Sequence, residues 1–119
     1  MKDRKEIQEF ILSQPNSWVD FPFGPEVEVY KAGPRGNNSG DKSKSKMFAL
    51  IATNKDPVNL SLKCDPVLAE ALREKFVSVM PGYHLNKKHW NTIVCSGELS
   101  EQELQDLIIL SYRLVTEKN

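Results

Sequence analysis

The sequence predicts a two-layer α+β domain, an antiparallel sheet with flanking helices. Three observations carry that reading. Apolar residues alternate, or run unbroken at strand length, through the middle of the chain. Short turns rather than long crossovers separate most of these runs. Helical spacing behind capping residues appears at both ends and once in between.

The elements follow in order. Asp3 caps a first helix, Glu6 makes a capping-box-like pair with it, and Ile7, Phe10 and Ile11 recur at helical spacing with Leu12 widening the stripe. Pro15 ends that helix. Ser17 to Pro25, with Trp18, Phe21 and Phe23 among prolines and Gly24, reads as a short strand and a turn. Val27 and Val29 alternate with Glu26, Glu28 and Tyr30, the period of a half-buried strand. Residues 33–45, rich in Gly, Asn, Ser and Lys, have nothing to bury and read as a flexible hairpin excursion. Met47 to Ala52 is a central strand. After the turn Asn54-Lys55-Asp56-Pro57, Val58, Leu60 and Leu62 alternate with Asn59, Ser61 and Lys63, so one face of that strand meets the core and the other meets water. Asp65-Pro66 starts a second helix striped by Leu68, Ala71, Leu72 and Phe76. Val77 to Met80 and Trp90 to Cys95 are the remaining strand segments. Ser100 and Glu103 form a capping box for a last helix carrying Leu104, Leu107, Ile108, Ser111, Leu114 and Val115 along one side. The order is one helix, three or four strands, a helix, one or two strands and a helix.

With 119 residues the chain is one domain, 1–119, large enough to bury about 65% of its unfolded surface. Its 39% hydrophobic and 27% charged content is that of a soluble globular protein. The net charge of zero speaks against a uniformly basic polyanion binder. Charge is sorted along the chain, however. Residues 31–46 hold Lys31, Arg35, Lys42, Lys44 and Lys46 against Asp41, whereas 98–106 hold Glu98, Glu101, Glu103 and Asp106 with no base. Cys64 and Cys95 lie far apart without a ligand set, so they read as buried hydrophobes in a reducing compartment. The charged start has no signal-peptide apolar region and no run reaches the ~18 residues of a membrane span, so a cytoplasmic protein without a membrane partner is expected.

The chemistry-bearing segment is Pro81 to Asn91. It holds His84, His89, Trp90, Lys87, Lys88, Asn86 and Tyr83 with no acidic residue. Two histidines five residues apart without a third ligand make a poor zinc site, and no nucleophile with an orienting acid stands beside them. No metal, cofactor or catalytic residue is therefore assigned, and the chain is not read as an enzyme. Lys87-Lys88 beside His89-Trp90 suits phosphate contacts plus stacking, and Lys46 and Lys63 join them if the sheet brings them near. The competing reading is that the lysines are ordinary solvated charges and Trp90 is core. Phe21-Pro22-Phe23-Gly24-Pro25 reads as aromatics plugging one end of the core.

Phe23-Gly24-Pro25-Glu26, Lys46-Met47-Phe48-Ala49, Leu62-Lys63-Cys64-Asp65-Pro66, the 81–91 block and Ser111-Tyr112 occur in that order. Together they resemble the MmcQ/YjbR family of small bacterial proteins. The resemblance implies a secretion-chaperone-like or CyaY-like α+β fold of order α-β(3)-α-β(2)-α. It also implies a protein of unknown function for which DNA binding through a double wing has been proposed, the wings being the hairpin of the 33–45 excursion and the 82–90 loop. The excursion is longer and richer in Gly, Ser and Lys than the family pattern. The leading expectation is a DNA-binding module using Lys46, Lys63, Tyr83, His84, Asn86, Lys87, Lys88, His89 and Trp90. The alternative is a protein-interaction module, chaperone-like or dimerising, docking through Val58–Lys63 or Phe21–Pro25. Last comes an enzyme with His84 or His89 as acid–base. DNA or a protein is the expected partner, and the chain is expected to be a monomer or weak homodimer.

Overall fold

The computed structural model describes residues 3–34 and 45–117. Its elements run α1 (Arg4–Leu12), β1 (Ser17–Asp20), β2 (Val27–Ala32), β3 (Lys46–Ala52), β4 (Asn59–Lys63), α2 (Pro66–Lys75), β5 (Val79–Pro81), β6 (Trp90–Val94) and α3 (Glu101–Thr116). Four strands precede α2, the upper count of the sequence reading; β1 is the additional edge strand relative to the α-β(3)-α-β(2)-α order. Most of the excursion, residues 35–44, lies outside the described residues.

The caps explain where the helices start. Asp3 accepts from the Lys5 N–H, and Asp65 accepts from Val67 N–H ahead of Pro66 in the first turn. Ser100 and Glu103 close a full capping box on α3.

The six strands form one sheet in the order β1-β2-β3-β4-β6-β5, antiparallel throughout. Directly opposed residues share a face, so the register sorts the side chains. Tyr30, Ala49, Ile51, Leu60, Leu62 and Ile93 face the helices. There they meet Ile7 and Ile11 of α1 and Leu104 and Ile108 of α3 in one core. Each such aliphatic side chain contributes about 1.5–3 kcal/mol on burial. Glu28 also points inward, its carboxylate accepting from Gln8 Nε2 and the Tyr30 hydroxyl at 2.8 Å. Burial and the Glu28 bond push the Tyr30 phenol well above its ordinary value.

The opposite face carries a second, smaller cluster of Val29, Leu50 and Trp90, flanked by Met47 and Leu85. The sheet is therefore apolar at its centre on both sides, with all three helices on one.

A register shift breaks the β2–β3 ladder. Tyr30 pairs with Ala49 and Lys31 with Met47, which leaves Phe48 without an opposite. The bulge puts Phe48 and Ala49 together in the helix-side core. The Phe48 carbonyl accepts from the fully buried Ser111 hydroxyl of α3, and Ser111 Oγ in turn accepts from Lys63 N–H at 2.9 Å. Tyr112 completes the patch, its ring edge-on to Phe48 at 5.3 Å and its hydroxyl donating to the Pro15 carbonyl.

The aromatics at 21–23 depart from their expected role. Phe21 is 48% and Phe23 62% exposed rather than plugging the core. The β1–β2 ladder stops at Asp20↔Val29, and a turn closed by Gly24 N–H to the Phe21 carbonyl carries both rings past the sheet end. Gly24 holds φ 101°, which suits glycine.

Candidate nucleic-acid interface

The 82–89 segment is the connection of the β5–β6 hairpin. Gly82 begins it because the backbone comes very close to Trp90. A Cβ on Gly82 would lie 2.7 Å from Trp90 Cβ, while Gly82 N–H donates to the Trp90 carbonyl at 2.9 Å. Asn86 shapes the far turn, its side-chain oxygen accepting from Lys88 N–H at 2.9 Å and its carbonyl from His89 N–H. Lys87 Nζ donates back to the Gly82 carbonyl at 2.9 Å, and Arg73 of α2 donates to the Lys87 carbonyl at 3.0 Å. The His89 carbonyl accepts from Cys64 N–H, tying the loop to the β4–α2 junction. This is a braced loop rather than a free strand of chain.

The residues singled out in sequence therefore divide. Trp90 is 6% exposed and belongs to the second apolar cluster, so its ring is floor rather than stacking surface. Asn86 and Lys87 hold the loop together. Lys88 is exposed, and Lys63 lies directly across the ladder from Trp90 on the face away from the helices. Tyr83 is 71% exposed and its ring contacts that of His84 at a tilt of 55°, with centroids 4.0 Å apart. His84 holds φ 57°, in the left-handed region where histidine is one of the few tolerated side chains. Lys46 is exposed at the start of β3, paired with Ala32 and two strands from β6, roughly 10 Å in sheet spacing.

The register brings both hairpins to one end of the sheet. β2 ends at Ala32 opposite Lys46, β4 ends at Lys63 opposite Trp90, and β5 ends at Pro81 opposite Asn91. The connections 33–45 and 82–89 thus leave from the same edge, with Lys46 and Lys63 between them. Lys31, also near this edge, is neutralised by Asp20 at 3.0 Å. The acidic start of α3 follows the opposite end of β6, so this acidic stretch lies at the end of the sheet remote from Lys46 and Lys63.

From its foot at this edge the 82–85 segment folds back over the open sheet face, where Tyr83 N–H donates to Thr92 Oγ1 at 3.1 Å. Between it and Phe23 lies a groove of about 550 Å³ floored by Leu50, Ala52 and Asn59. The alternation of Asn59, Ser61 and Lys63 is legible in the sequence but this groove is not, because its walls come from three distant loops.

Neither cysteine is a nucleophile in waiting. Both are buried and unpaired; desolvation raises each thiol to about 11, with Asp65 adding to the effect at Cys64. Among the described residues no group of three His, Cys, Asp or Glu side chains is arranged to hold a metal ion, and no helix is long and apolar enough to cross a membrane.

The YjbR family pattern matches residues 12–114, nearly the whole chain. This chain belongs to the YjbR family. Its curated YjbR relatives include the uncharacterised protein YbdF of Escherichia coli O157:H7, 36% identical over 106 residues that cover 89% of this chain and 78% of that one. They also include the uncharacterised YjbR of Escherichia coli K12, 37% identical over 67 residues, 56% of this chain and 57% of that one. Among solved structures, a Deinococcus radiodurans protein of the DUF419 domain family superposes with a TM-score of 0.88 at 40% identity, covering 99% of this chain and 81% of its own. A Pseudomonas syringae protein superposes at 0.72 with 25% identity, over 95% of this chain and 98% of that one. The YjbR fold is thereby established for this chain, and its relatives are uncharacterised proteins.

Proposed function

We propose that this YjbR chain is a nucleic-acid-binding module that uses the basic end of its sheet as a pair of wings. The observation that carries this reading is the common departure edge of the two hairpins, with Lys46 and Lys63 between them and Lys88 on one wing. Phosphates spaced along a backbone suit a row of separated cations on rigid strands, and the bracing of the 82–89 loop limits the ordering cost of binding. The buried, unpaired cysteines suit the reducing cytoplasm. A protein-contact role is the second reading, favoured by the exposed Phe21 and Phe23 at the opposite sheet end.

Titration of a labelled duplex at several salt concentrations tests the proposal. Affinity is expected to fall with a log–log slope of about −0.9 per phosphate neutralised. Lys63→Gln/Lys88→Gln is expected to weaken binding and reduce that slope by roughly 2. These two lysines are better probes than Lys87, whose ammonium is engaged by the Gly82 carbonyl. Absence of binding to any nucleic acid at low salt would refute the proposal.

A further inference from the structure

The geometry points to the groove on the open sheet face as a nucleobase site, so that the nucleic acid taken by the wings is single-stranded there. This rests on the nucleic-acid reading for its phosphate contacts but on separate residues for the base. At about 550 Å³ the groove lies within the span of small-ligand sites, about 300–1,000 Å³.

Its lining selects for a flat ring with a polar edge. Leu50 and Ala52 offer an apolar floor, and Phe23 and Tyr83 stand at opposite walls as exposed rings. Neither ring is needed by the core. Aromatic walls of this kind bind any base by its face. The Tyr83 ring lies against His84 in a tilted contact, and His84 holds a left-handed backbone. At the floor and far wall, the side-chain amides of Asn59 and Asn54 have no partner among the described residues. An amide both donates and accepts, which matches the mixed edge of a base. Asn59 is half-buried and Asn54 exposed, so both amides are accessible to the edge of a bound ring. Ser61 and Thr92 add no further demand, because their hydroxyls bond each other at 2.8 Å.

The charges agree with this orientation. Lys55 lies at the rim by Asn54 and supplies a cation beside the groove. Glu26 at the rim can accept from the exocyclic amino group of adenine, cytosine or guanine.

The test compares three probes: a short labelled single-stranded oligonucleotide of mixed sequence, its duplex, and adenosine monophosphate. Each is titrated against the wild-type chain, Tyr83→Ala, Asn59→Ala and Lys63→Gln/Lys88→Gln, with thermal melts verifying that each variant is folded. The single strand is expected to bind more tightly than the duplex. Tyr83→Ala is expected to weaken single-strand binding roughly tenfold while leaving the duplex unchanged. The lysine variant should weaken both. Binding of adenosine monophosphate that is sensitive to Tyr83→Ala and Asn59→Ala, without oligonucleotide binding, would make a free nucleotide the source of the base and would refute the polymer reading alone. Equal binding of duplex and single strand, unaffected by Tyr83→Ala and Asn59→Ala, would overturn the nucleobase site and leave the wings standing. No response to any of the three probes would overturn both.

Discussion

Gly82 is the position where a single atom matters most to the candidate interface. The 2.7 Å approach that a Cβ would make to Trp90 Cβ leaves no room, and both neighbours there are held by the β5–β6 ladder. Gly82→Ala is expected to destabilise the fold by about 1–3 kcal/mol, the range for overpacked sites, measured by urea denaturation. A fall in midpoint with unchanged slope would fit a local clash; no fall would show that the hairpin gives way freely. Trp90 teaches the complementary lesson. From sequence it was a ring available for stacking or a core residue, and burial against Val29 and Leu50 makes it core. Nothing in the string Lys87-Lys88-His89-Trp90 distinguishes the two, because which face of β6 is covered depends on a loop folding back over it.

Between α3 and the sheet, one hydroxyl repairs a defect made by another element. The bulge at Phe48 ends the β3–β4 ladder at Ala49↔Leu62, so the Phe48 carbonyl and the Lys63 N–H lose their natural partners. Ser111 supplies both an O–H donor and a lone pair. Ser111→Ala leaves the buried Phe48 carbonyl and the part-buried Lys63 N–H unpaired, and a loss of about 1–3 kcal/mol is expected in chemical denaturation. A change below roughly 0.5 kcal/mol would mean that water or a small backbone shift replaces the hydroxyl. This explains physically why Ser111-Tyr112 belongs with Lys46-Met47-Phe48-Ala49 and Leu62-Lys63 in one motif set: the pair closes the bulge that sets the position of Lys63. The strands themselves were legible from alternation and the helices from Asp65-Pro66 and the Ser100/Glu103 box. The bulge was not, since an unbroken apolar run conceals an extra residue.

Across the whole molecule, zero net charge conceals a separation of charge. β6 runs away from the wing edge, and the chain turns through Cys95–Leu99 before α3 starts back toward Lys63. The acidic stretch therefore sits at the end remote from Lys46, Lys63 and Lys88. An approaching polyanion meets the basic end at close range, which salt at 0.1 M screens beyond about 10 Å. Glu98 in that remote stretch also has a structural task. Its carboxylate accepts from Ser78 N–H at 2.8 Å and Val77 N–H at 3.2 Å, anchoring the entry to β5. Hydrogen bonds from Ser78, then from Val77, hold this carboxyl below its ordinary range. A lowered folded-state value means stabilisation that is present above the unfolded carboxylate range and lost as pH falls through the folded value. Acid titration of stability is expected to be shallower in Glu98→Gln than in the wild type; identical acid limbs would remove Glu98 from the account.

Local chemistry written in the chain was sufficient for the helix caps, the strand periods, the α+β class and the family. These depend on residues within a turn or two of one another, and capping bonds and alternation are local forces. Only the folded sheet decided which cations share an edge, which aromatic ring is covered, and that Phe23, Asn59 and Tyr83 enclose one groove. Those relations join residues dozens of positions apart. They are fixed by strand order and register, and a one-residue slip in register would have exchanged the two faces.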